Sequence, residues 1–141
     1  MEQFQEFVFN HPFLWGGVIL VLGALVVSET MRHFLGQRPI TTNEAVHLMN
    51  SKGAIVVDTR SSADYNKGHL LNAVHIPMAG IESRAKEISK AKDRTIICYC
   101  GAGSVANQAA SKLRKLGYTD VHVLKGGING WQADGMPVTR K

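Results

Sequence analysis

TIICYCGAGSVANQAASKLRKLG, residues 95–117, decides the fold. Thr95 to Cys100 is a short apolar run, the signature of a strand buried on both faces. Cys100-Gly101-Ala102-Gly103 then lets the backbone curl, because glycine carries no Cβ. Ser104 to Leu116 has helical character and stops at Gly117, where a C-cap glycine belongs. A buried strand, a glycine turn and a helix make the beginning of a strand–helix–strand unit.

The surrounding chain repeats the alternation. Upstream, Thr41-Thr42-Asn43-Glu44 is a capping-box pattern, followed by a stripe of Ala45, Leu48 and Met49 and a break at Gly53. Ala54 to Asp58 reads as a buried strand ending in a carboxylate. Ala63 to Lys67 is a short helical turn closed by Gly68. Ala73 to Pro77 is a second strand, ended by its proline. Ile81 to Ser89 reads as a helix. Downstream, Val121 to Leu124 is a further strand, and Gly126-Gly127 turns the chain into a short helix around Trp131. This order predicts an α/β fold: a parallel sheet with helices on both faces. Ligands of such sheets sit beyond the carboxyl ends of strands. That places the candidate site after Asp58 and after Cys100.

The N-terminal segment is different in kind. Pro12 to Val27, PFLWGGVILVLGALVV, holds no charge, and Phe7 to Ser28 reaches the length of about 20 apolar residues that a spanning helix needs. Gly16, Gly17 and Gly23 are costly in a soluble helix but common in membrane ones. A cleaved signal peptide would want a basic start and a small-residue cleavage site. Here the start is acidic, and Ser28-Glu29-Thr30-Met31 is a poor site. The expected organisation is a short extracytoplasmic N-terminus at 1–6, an uncleaved transmembrane anchor at 7–31, a linker at 32–39 and a folded domain at 40–138. Residues 1–31 hold no Lys or Arg, whereas residues 32–141 hold all 16 bases and eight acids. The positive-inside rule therefore puts the domain in the cytoplasm and the N-terminus outside the inner (plasma) membrane. A reducing compartment suits free thiols.

Composition excludes several classes. With 45% hydrophobic and 19% charged residues, the chain is no disordered tail. Its bases are scattered without interleaved aromatics, so no nucleic-acid partner is expected; a solvated basic face near an anionic membrane accounts for them. Cys98 and Cys100 cannot form a disulfide framework, and four ligands at zinc spacing are missing.

The Cys100 loop carries the chemistry. Successive amides in Gly101-Ala102-Gly103-Ser104-Val105-Ala106 point into the bend as an anion nest, and the following helix adds its positive end. A thiol there has its thiolate stabilised, so Cys100 is expected to be an acidic, nucleophilic cysteine acting on an anionic sulfur compound. Cys98 points to the same face by period two but lies deeper, as a core residue.

At these residues the chain resembles the rhodanese family of sulfurtransferases. Val57-Asp58-Thr59-Arg60, Asp64-Tyr65 and Gly68-His69-Leu70 are similar to its "D-x-R … E-Y … G-H-I" segment. Ala73 to Pro77 is similar to "G-A-x-x-I-P", and Ile97 to Gly103 to the strand and loop "Y-C-x-x-G". Leu124 to Trp131 is similar to the closing "L-x-G-G-x-x-x-W". The order and spacing of these motifs are specific together, and they span about residues 40–138. With its anchor, the whole chain is similar to membrane-anchored single-domain rhodaneses.

The resemblance implies a persulfide mechanism. Cys100 takes the outer sulfur of a donor such as thiosulfate and passes it to an acceptor thiol or sulfur-carrier protein. The amides of Gly101, Ala102, Gly103, Ser104, Val105 and Ala106 hold the substrate, and no metal or organic cofactor is needed. Thiosulfate-type members place an arginine where Val105 stands. The Cys-Gly-Ala-Gly start is closer to the mercaptopyruvate type, "C-G-S-G-x-T", but Ala102 and Val105 replace its two hydroxyls, so Ser104 is the remaining side-chain donor. Asp58 and Arg60 read as an ion pair bracing the loop, with Arg60 adding positive potential to the pocket. His69 reads as a hydrogen-bonding strut, Trp131 as a core cap, and Gly126-Gly127 as a tight turn.

Three function classes follow. The leading one is a membrane-tethered sulfurtransferase. A phosphatase type shares the fold but requires C-x5-R, and position 106 is Ala106. A membrane-tethered binding or adaptor module with little or no catalysis is the alternative. The Gly16–Gly23 stretch adds one more potential contact, packing against another membrane protein.

Overall fold

The computed structural model describes residues 11–34 and 38–141. The chain divides into two compact units, Met1–Gly36 and Gln37–Lys141. Expectations for residues 1–10, and for Leu35, Gly36 and Gln37 of the linker, lie outside the described residues.

The described part of the first unit is one helix, α1 (Pro12–Phe34), which runs past the expected end at Met31. Its Pro12–Met31 segment is long and apolar enough to cross a membrane. The polar side chains near its end turn back on the helix. Ser28 Oγ donates to the Leu25 carbonyl at 2.9 Å and Thr30 Oγ1 to the Val26 carbonyl at 2.8 Å. Such back-bonding gives each hydroxyl an acceptor within its own helix.

The second unit holds the α/β fold. In chain order come α2 (Thr42–Lys52), β1 (Ile55–Asp58), α3 (Ser62–Lys67), β2 (Val74–His75), a 3-10 turn (Met78–Gly80), α4 (Ile81–Ile88), β3 (Ile96–Tyr99), α5 (Ser104–Lys115), β4 (Val121–Val123) and α6 (Gly127–Ala133). The capping box forms: Thr41 Oγ1 accepts from the Glu44 amide at 3.3 Å, and Glu44 accepts from the Thr41 amide at 2.8 Å. Gly53 closes α2 in the left-handed region.

The four strands are parallel, in the order β2-β1-β3-β4. Alternation along the central strands feeds two cores. Val57, Ile96 and Cys98 face one side, packed with Ala85 and Ile88 of α4 and Ala109 and Leu113 of α5. Val56, Ile97 and Tyr99 face the other, packed with Ala45 of α2 and Ile128 and Trp131 of α6. Helices therefore cover both faces, as the apolar runs require.

The outer strands are shorter than the sequence suggests. β2 keeps only Val74–His75 of the expected Ala73–Pro77, because it is an edge strand paired on one side. At the opposite edge Ile40 bridges the end of β4. Its amide donates to the Val123 carbonyl at 2.8 Å, and the Lys125 amide donates to the Ile40 carbonyl at 2.8 Å. The order also sets the site. From β1 the chain moves outward to β2, then crosses back to β3 on the other side of β1. Connections leave in opposite directions there, opening a crevice at the carboxyl ends of β1 and β3.

Candidate active site

The crevice is a cleft of about 330 Å³. The β1–α3 connection supplies one wall, with Thr59, Arg60, Ser61 and Asp64. The β3–α5 loop supplies the other, with Cys100, Gly101, Ala102, Ser104 and Val105. Thr59 ties the walls together: its amide donates to the Tyr99 carbonyl at 3.0 Å and its hydroxyl to the same oxygen at 2.9 Å.

Cys100 sits one residue past β3 and is 4% exposed. The Gly103 amide donates to its Sγ at 2.9 Å. That bond needs the loop to double back within three residues, which Gly103 permits at φ +106°, a region that disfavours side chains. No side chain caps α5, so the first amides of the helix are left for a bound group.

The loop is clamped from behind. The Ile128 amide donates to the Cys100 carbonyl at 2.9 Å and the Asn129 amide to the Gly101 carbonyl at 3.2 Å. Gly127 lies so close that an added Cβ would stand 2.2 Å from the Cys100 carbonyl oxygen and 2.6 Å from that of Gly101. The Gly126-Gly127 pair thus does more than turn the chain: it lets the start of α6 hold the Cys100 loop. Its sequence signal was the glycine pair, but the contact partner is remote in sequence.

Arg60 is held rather than free. Its Nε donates to Asp58 Oδ1 at 3.1 Å, and its Nη2 to Asp58 Oδ2 at 2.7 Å and the Gly68 carbonyl at 2.6 Å. The fully buried Asp58 also accepts from Tyr99 Oη at 2.5 Å. Burial pulls the Arg60 guanidinium down, but bonding to Asp58 outweighs it and leaves the group raised. Burial, then the bond to Asp58, pushes the Tyr99 phenol far up. The cluster is a charge-compensated brace between β1, β3 and the segment at Gly68. His69, with Nδ1 3.0 Å from the Tyr65 carbonyl and Nε2 2.8 Å from that of Lys141, is a strut beside it.

The other expected residues divide. Gly101, Ala102, Ser104 and Val105 line the cleft with Cys100 and Arg60. Gly103 lines a smaller recess of about 180 Å³, which Lys125 also borders and which shares Ala102 and Ser104 with the cleft. The Ala106 side chain is fully buried in the core. Cys98 is fully buried on the Cys100 side of the sheet, and burial pushes its thiol up to about 12. Trp131 is buried, its Nε1 donating to the Pro137 carbonyl at 2.9 Å. Sequence reasoning did not assign Thr59, Ser61 and Asp64 to the site, although their place just after β1 was the available signal. A hydrogen bond from Ser61, aided by Lys67, keeps the Asp64 carboxyl below its ordinary value. Among the described residues no cluster of three or more His, Cys, Asp or Glu has the arrangement of a metal site.

Residues 41–134 match the rhodanese-like domain family. The chain belongs to that family. This rhodanese domain and its N-terminal segment together resemble the uncharacterized protein YibN of Escherichia coli K12, at 33% identity over 99% of both chains. A protein named sulfurtransferase from Allochromatium vinosum is 35% identical over 64% of this chain and 83% of its own. A rhodanese-related protein of Thermoplasma volcanium superposes with a TM-score of 0.66, covering 74% of this chain and all of that one. At 23% identity that likeness shows the fold alone. The family contains sulfurtransferases that act on sulfur donors and acceptors, and this chain's function is sulfurtransferase-like.

Proposed function

We propose that the protein is a membrane-anchored, single-domain rhodanese that moves sulfane sulfur through a persulfide on Cys100. The observation that carries this reading is the Gly103 amide bonded to Cys100 Sγ inside the cleft, at the junction of β3 and an uncapped helix. That amide sets a hydrogen-bond donor against the sulfur, where the charge of a persulfide or a leaving group would be held.

In this reading the thiolate attacks the outer sulfur of a small donor. The new Sγ–S bond forms as the donor's S–S bond breaks, and the leaving group takes the electron pair. Loop amides from Gly101 to Ala106 hold the substrate and then the persulfide, while Arg60, its charge met by Asp58, braces the opposite wall. An acceptor thiol or a sulfur-carrier protein attacks the outer sulfur and restores Cys100. No cofactor or metal takes part. α1 is the anchor. Arg32 and Arg38 at its C-terminal side set the rhodanese domain in the cytoplasm, with residues 1–6 outside.

Intact mass spectrometry of the full chain in detergent tests the chemistry. After exposure to a sulfane-sulfur donor, Cys100 should gain one sulfur atom and lose it on addition of a thiol. Cys100→Ser should gain none. Sulfur transfer at the wild-type rate by Cys100→Ser would refute the mechanism and favour the adaptor reading.

A further inference from the structure

We propose that the Cys100 cleft selects singly charged sulfane-sulfur donors that carry an organic group, and works poorly with the dianion thiosulfate. The inference rests on the sulfurtransferase reading and specifies its substrate class.

The argument is one of charge and lining. Arg60 is the cation of the cleft wall, and Asp58 neutralises it at 2.7 Å, with a second fork bond at 3.1 Å. Asp64 adds a carboxylate to the same wall. Its partner Lys67 lies 3.5 Å away with a side chain 77% exposed, so water screens the offset. Lys125 borders the smaller recess, which shares Ala102 and Ser104 with the cleft, and does not itself line the cleft. Among the described residues lining the cleft no cation is left uncompensated, so the second charge of a dianion finds no partner there, and the half-exposed Asp64 carboxylate adds only a water-screened repulsion. The hydroxyls are also committed. Thr59 donates to the Tyr99 carbonyl and Ser61 to Asp64, which leaves Ser104 among the described residues of the cleft. Opposite them, Ala102 and the 38% exposed Val105 give an apolar surface that suits a carbon substituent.

An organic thiosulfonate, R–SO2–S⁻, isolates the charge effect. Cys100 thiolate attacks its terminal sulfur, forming the Sγ–S bond. The S–S bond to the sulfonyl sulfur breaks, and its electron pair leaves on the sulfinate, R–SO2⁻. Cys100 becomes the persulfide anion. The charges balance, one on each reactant and one on each product, and no outside oxidant or reductant enters. Thiosulfate follows the same path but brings a second charge, which departs with sulfite.

The test measures persulfide formation at Cys100 by quenched intact mass spectrometry on the full chain in detergent, with methanethiosulfonate and with thiosulfate. The rate ratio of the two donors is divided by the same ratio for a free thiol in solution. We expect the protein to favour methanethiosulfonate by about tenfold beyond solution chemistry, the fold-change of about one pKa unit of differential interaction. Val105→Arg adds a free cation and should move the ratio about tenfold toward thiosulfate, whereas Val105→Met, similar in bulk, should leave it in place. A wild-type ratio at or below the solution value would overturn the inference. So would a Val105→Arg protein that still loads from methanethiosulfonate at an unchanged ratio. Loading of Cys100 by neither donor would instead sink the sulfurtransferase reading, and this inference with it.

Discussion

Two regions of this chain are built from the same side chains and treat them in opposite ways. In α1, Ile19 is 68% exposed, Leu20 72% and Val26 63%. In the sheet, Ile76, Ile96 and Ile97 are wholly buried. The sheet removes its apolar surface from water by covering both faces with helices. The helix has no such cover within its own unit, and its glycines Gly16, Gly17 and Gly23 have nothing within 4 Å of an added Cβ. Fully burying one such side chain is worth about 1.5–3 kcal/mol. A row of them left bare suits apolar surroundings. The comparison teaches that the domain carries its own core, while α1 carries none of its own, as the proposed anchor role requires.

Three perturbations break or sharpen that contrast. The largest effect is expected from Asp58→Ala. It leaves Arg60 and Tyr99 without their buried acceptor and should cost about 3–5 kcal/mol of domain stability. Denaturant unfolding should show that loss, with membrane partitioning unchanged. Next, Leu20→Arg sets a charge in the middle of α1, at about 2.5–3.5 kcal/mol on insertion scales. Sedimentation with membranes should fall while the domain's unfolding midpoint stays put. Equal loss of domain stability would show that the two regions are not independent.

The effect that is smallest at neutral pH is read by raising the pH. Cys98 has its thiol raised from 9.0 to about 12 by burial, so the folded state keeps a proton that the unfolded state releases. Stability is therefore untouched below about pH 9 and declines between the two values, by about 1.4 kcal/mol per unit at most. Tyr99, also raised, adds to the alkaline decline. Cys98→Val should flatten the slope of unfolding free energy against pH in that window. An unchanged slope would mean that Cys98 is solvated in the folded protein.

Much of this was legible in the sequence because it is local. The capping box, the runs ending at Asp58 and Cys100, and the glycines after Cys100 each declare their structure within a few residues. β1 and β3 emerged nearly as read, since strands buried on both faces need continuous apolar runs. The edge strand β2 was overread, because pairing on one side shortens a strand without changing its composition. The second wall of the cleft was missed. Thr59, Ser61 and Asp64 look like ordinary turn and cap residues until the crossover sets them opposite Cys100. The Gly127 contact was equally hidden, since a glycine's close approach to a carbonyl 27 residues earlier leaves no local trace.

The bridge from Ile40 to the end of β4 has a consequence for crowded surroundings. An unpaired strand edge is a template on which another copy can add its own strand. Here one flank of the sheet is partly occupied by Ile40, and the other ends in the two-residue β2. Neither offers a long free ladder. Many copies held side by side on one surface would therefore resist aggregating edge to edge and stay separate molecules.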